Sequence, residues 1–125
     1  MDSRYDFPSV SMNIILQAGD AREKAEQAFE AAGQNDFEKA RNLIDQANQC
    51  IREGHRYQTE TMQSLAQAEF SGEDQPALPM LFIHAQDTIM TVMSEVSLIA
   101  KSIQMYENLE KQIEQLKEEK NTCRK

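Results

Sequence analysis

The chain has 125 residues, 40% of them hydrophobic, with four Gly, three Pro and no Trp, which suits one helical domain with a modest core. A formal charge of −8 leaves no clustered basic surface of the kind that nucleic-acid phosphates require. No run of about twenty apolar residues predicts direct membrane insertion, the start Met1-Asp2-Ser3-Arg4 precedes no signal-like segment, and Cys50 and Cys123 have neither metal-ligand spacing nor the numbers of a secreted disulfide framework, so a cytoplasmic location is expected.

The first predicted helix carries Ile14, Ala18, Ala21, Ala25, Ala28 and Ala32 at alternating steps of four and three. Small side chains on such a seam let a second helix approach closely, with Ile15 and Phe29 adding bulk on a flank. Gly19 inside this helix costs about 1 kcal/mol relative to Ala, so close approach of a neighbouring backbone is expected there. Gly33 is the expected C-terminal stop.

Asp36 is the expected N-cap of the second helix, whose stripe is Phe37, Ala40, Ile44, Ala47 and Ile51, resuming at Met62 and Leu65. Gly54, His55 and Gln58 fill the gap. Polar groups turned toward a core are costly unless they are paired or line a wet pocket. His55 and Gln58 are therefore read either as satisfied core polar groups or as the lining of a site. Ser71 to Pro76 is the clear loop.

The third helix is expected to begin near Pro79. One stripe runs Ala85, Ile89, Val92, Val96, Ile99, Ile103 and Tyr106, and a second holds Ile83, Asp87, Met90 and Ser94. Two stripes call for partners on two sides, which a lone bundle does not supply, and this argues for oligomerisation through the third helix. The pattern continues as Leu109, Ile113 and Leu116, so this helix overhangs the others. Met62, Met80, Met90 and Met93 are read as core filler and Cys50 as a buried small hydrophobe. The expected organisation is a flexible N-terminus over 1–8, an all-α three-helix domain over 9–116, and a charged tail over 117–125 that frays.

Between Leu81 and Ala100 the only ionisable side chains are His84, Asp87 and Glu95. Histidine changes protonation near neutral pH and can carry a phosphoryl group, so His84 is a candidate functional residue beside the plainer reading of a surface histidine. Asp87 occupies an apolar stripe. It is either solvated at a bend or part of an ion or proton shared between subunits. The chain has no glycine-rich phosphate loop and no Gly-x-Ser-x-Gly elbow. Arg52 and Leu81 stand where a di-iron bundle needs glutamates, and two histidines are too few for a catalytic zinc.

The segment Leu81-Phe82-Ile83-His84-Ala85-Gln86-Asp87-Thr88-Ile89-Met90-Thr91 resembles the signature of the lactose/cellobiose-type enzyme IIA of the bacterial sugar phosphotransferase system. Gly19-Asp20-Ala21-Arg22, Gly33-Gln34-Asn35-Asp36-Phe37 and His55-Arg56-Tyr57-Gln58-Thr59 are similar to further parts of that family, over about residues 12 to 106. The resemblance implies an antiparallel up-down-up three-helix bundle that forms a homotrimer. It implies that His84 is transiently phosphorylated on Nε2, with the histidine-containing phosphocarrier protein as donor and a cysteine of the cognate enzyme IIB as acceptor. It also implies that Asp87 meets its copies at the trimer axis around a metal ion, typically Mg2+. Gln86, His55 and Gln58 are the expected support for the phosphoryl group.

Two departures accompany the resemblance. Thr88 stands where the family usually has a second histidine, and the chain runs about fifteen residues past the usual end. Two other readings are a histidine phosphotransfer domain of a two-component relay and a non-catalytic helical scaffold. Asp87 and Thr88 replace the Lys and Gly usual after the histidine in the first of these.

Overall fold

The computed structural model describes residues 6–74 and 76–123, and these form α1 (Phe7–Gly33), α2 (Phe37–Phe70) and α3 (Met80–Cys123). The helices run up, down and up, packed around one apolar interior. Asp6 caps α1 by accepting from Ser9 N at 3.2 Å, and Pro8 sits in the first turn, where its missing N–H costs nothing. Phe7 is buried against Phe82, with ring centroids 5.3 Å apart. The folded part therefore begins at Phe7, inside the segment expected to be flexible. Residues 1–5 lie outside the described residues.

All six residues of the alanine seam on α1 are buried. α1 stops at Gly33, as expected, and the left-handed conformation falls on Asn35, with φ 63°. Asn enters that region more readily than other non-glycine residues, and here Asn35 Nδ2 donates to Glu110 on α3 at 3.5 Å. Asp36 then caps α2 as expected, accepting from Lys39 N at 3.2 Å.

At Gly54 α2 packs tightly against both neighbours. A Cβ there would lie 3.1 Å from Ile89 Cδ1 on α3 and 3.2 Å from Gln17 Cβ on α1. The Ile89 methyl can swing aside, but Gln17 Cβ is fixed to the α1 backbone. Gly19, by contrast, is exposed and meets nothing within 4 Å, so the expected close approach belongs to Gly54. We expect Gly54→Val to lower unfolding stability by about 1–3 kcal/mol, because overpacking outweighs the gain in helix propensity. Chemical denaturation of the variant beside wild type measures this. An unchanged midpoint would show that the helices separate freely at this level.

Only Met93 among the four methionines packs against the core. Met62, Met80 and Met90 are 44%, 83% and 51% exposed, because their positions fall off the buried stripes. Cys50 is half-buried against the core, as expected for a small hydrophobe, and burial pushes its thiol pKa up. α3 is 44 residues long, about 66 Å, against about 40 Å for the 27 residues of α1. It passes the α1–α2 turn where Phe37 meets Tyr106 at 5.8 Å and Arg41 grips the Glu107 carboxylate at 2.8 Å. Beyond that it stays helical through Cys123, past Lys117, where fraying was expected. Residues 124–125 lie outside the described residues.

Candidate functional site

His84 is the fifth residue of α3. Phe82, Ala85 and Ile89 turn inward and are fully buried, so the one-residue step from Ala85, about 100° around the helix, turns His84 to solvent. Helical side chains tilt toward the N-terminus, which lays the imidazole over the first turn of α3. That turn carries the positive end of the helix dipole, worth about 0.3–1 kcal/mol to a nearby anion.

The neighbouring hydroxyls are committed to the backbone. Thr88 Oγ1 donates to His84 O, and Thr91 Oγ1 to Asp87 O, each at 2.8 Å. Thr88 thus spends its hydroxyl on the preceding turn. Asp87, one turn on from His84, is exposed beside Ile83 (45% exposed) and Met90 (51%). The second stripe of α3 is therefore open in the single chain.

The residues expected to support the site are divided between α2 and α3. Gln86 is half-buried and turns toward α2, donating from Nε2 to Met62 Sδ at 3.1 Å. His55 is exposed, and its Nδ1 lies 3.5 Å from Thr59 Oγ1 on its own helix. The Gln58 Oε1 atom is buried with no partner among the described residues. α2 continues to Phe70, past the stop near Leu65 that would bring His55 to His84, and Gly54 on α2 lies against Ile89 on α3.

One cross-helix contact at the α1–α3 edge was not anticipated. Arg22 binds Glu95 with both arms of its guanidinium, at 2.8 and 2.9 Å. The hydrogen bond from Arg22 holds the Glu95 carboxyl below its ordinary range, against the opposing effect of desolvation. Glu95 was visible as an isolated charge, but nothing in the sequence names a partner 73 positions away.

Among the described residues no three His, Cys, Asp or Glu side chains cluster closely enough to hold an ion. One copy of Asp87 offers a single carboxylate, so the donor set fits a hard divalent cation only when copies are brought together.

These features define an all-helical bundle carrying a solvent-facing histidine near a helix N-terminus. The chain belongs to the lactose/cellobiose-specific IIA subunits of the sugar phosphotransferase system, whose family model matches residues 9–107. It is 36% identical over 104 residues to the lactose-specific EIIA component of Staphylococcus epidermidis, covering 83% of this chain and 95% of that protein. The crystal structure of the cellobiose-specific enzyme IIA from Bacillus anthracis superimposes with a TM-score of 0.73 at 32% identity, covering 85% of this chain and 93% of that one. The IIA(chitobiose) chain of a solution complex with the phosphocarrier HPr gives a TM-score of 0.72 at 30% identity, covering 85% of this chain and 98% of that one. Among the described residues no helix is long and apolar enough to cross a membrane.

Proposed function

We propose that this chain is a cytoplasmic phosphocarrier of sugar uptake that holds the phosphoryl group on His84. The observation that carries the reading is the exposed His84, set in the first turns of α3 on a chain whose family match spans residues 9–107. The donor is the histidine-containing phosphocarrier protein, the partner in the complex of the chitobiose relative. The neutral imidazole of His84 attacks phosphorus in line. The new N–P bond forms at Nε2 as the N–P bond of the donor phosphohistidine breaks. A cysteine thiolate of the cognate enzyme IIB then takes the group, restoring neutral His84. Catalysis is mostly positioning of two proteins, and this chain supplies an unobstructed ring and the helix dipole beneath it.

The working form is a homotrimer assembled through the open stripe of α3. Ile83 and Met90 offer apolar surface, and Asp87 between them meets its copies around a shared Mg2+, which neutralises the converging carboxylates. Within this assembly Gln86, His55 and Gln58 are the candidate contacts to the phosphoryl group.

The test is labelling with phosphoenolpyruvate, enzyme I and the phosphocarrier protein. The expected product carries one acid-labile, alkali-stable phosphoryl group per chain. Labelling by a sensor kinase instead would assign the chain to a two-component relay. No labelling from either donor would leave the helical scaffold as the reading.

A further inference from the structure

The family match ends at residue 107, but α3 continues to Cys123, and every residue from Lys111 to Cys123 is exposed. This overhang of about 20 Å has no bundle to lean on. An isolated helix of that length is marginal in water. Its apolar residues nevertheless lie in one line. Leu109, Ile113 and Leu116 are 53%, 43% and 64% exposed, at steps of four and three, and the same steps continue to Lys120 and Cys123. Upstream the line runs into Met105 (66% exposed) and Leu98 (64%), and so joins the open face that holds Met90 and Ile83.

Charge separates this segment from the rest of the molecule. The chain carries −8, yet residues 107–125 hold five acidic and five basic side chains and are neutral. Self-association of the tail therefore meets no net repulsion, whereas the entire excess of negative charge lies in residues 1–106.

We propose that residues 109–123 form a parallel, in-register coiled coil with the same segment of other copies of this chain, prolonging the assembly of α3 past the bundle. The inference rests on the self-assembly reading above. Closed rotational symmetry about an axis along α3 sends all the C-termini out at one end, which fixes the parallel sense. With Leu109, Leu116 and Cys123 at d, and Ile113 and Lys120 at a, the flanking position Gln112 faces Lys117 of the next copy without like charges. Lys120 at a core position fixes register at a cost in stability. Two heptads bind weakly alone, but the bundle holds the tails together at high effective concentration.

The experiment uses the full chain with Cys50→Ser, which leaves Cys123 as its single thiol. Copper phenanthroline in air oxidises neighbouring thiols to disulfides, read on a non-reducing gel. We expect about two-thirds of the chains of a trimer to become disulfide-linked dimers, the ceiling when three thiols meet. Leu109→Asp with Leu116→Asp should slow this crosslinking at least about tenfold and raise the dissociation concentration of the assembly at least about tenfold, since two apolar side chains lose their burial. Both residues are exposed in the single chain, so the bundle itself stays folded. Labelling of His84 should be retained in these variants. An assembled chain that does not crosslink at Cys123, or whose crosslinking ignores Leu109→Asp with Leu116→Asp, overturns the proposal. A chain that sediments as a monomer while His84 is labelled overturns the tail and the assembly together and leaves the phosphocarrier reading standing.

Discussion

His84→Ala is expected to remove phosphoryl acceptance, a loss on the order of a thousandfold or more, which is the scale on which removing a covalent nucleophile acts. The same substitution should leave unfolding stability within about 0.5 kcal/mol of wild type, because the side chain is exposed and lies outside the core. The pairing of these two results makes the test decisive. A variant that lost labelling by unfolding would lose its helical circular dichroism as well. Residual acid-labile phosphate on folded His84→Ala would move the acceptor elsewhere, with His55 the only other histidine in the chain.

Much of this fold was legible because its core is built from a repeated small residue. The steps of four and three along α1 allow one buried face, and the structure buries it. Asp36 announced α2 because a cap is a local interaction between a side chain and an N–H three residues on. The misread positions had more than one outlet for the same preference. Gly19 and Gly54 can each admit a neighbouring helix, and only Gly54 lies on the buried side. Methionine says little about burial, since its flexibility suits a core and an exposed contact surface equally.

The site was legible in part for a related reason. His84 and Asp87 are neighbours through helix geometry alone, so their spacing was enough to place them on one open face. The placement of His55 and Gln58 depends on how α2 slides past α3, an offset marked by Gly54 against Ile89. The Arg22–Glu95 bridge is a long-range choice of the same type.

Asp87→Leu is expected to free the assembly from its dependence on divalent cations. In one chain the Asp87 carboxylate is exposed between the exposed Ile83 and Met90, and no ligating cluster surrounds it among the described residues. Bringing three such carboxylates to one axis is unfavourable unless a proton or cation lies between them. Removing Mg2+ with a chelator near neutral pH should therefore raise the dissociation concentration of wild type at least about tenfold, a penalty of about 1.4 kcal/mol or more. Leucine removes the repulsion and the ligand together and extends the apolar stripe, so Asp87→Leu should assemble equally well with and without chelator. It should also bind more tightly than wild type in chelator, as apolar replacements of buried charges often do. Sedimentation velocity over a concentration series, with Mg2+ and with chelator, reads all four conditions. Wild type that is monomeric in Mg2+, or that assembles with the same affinity in chelator, would remove the metal from the account and leave Asp87 as a solvated surface residue.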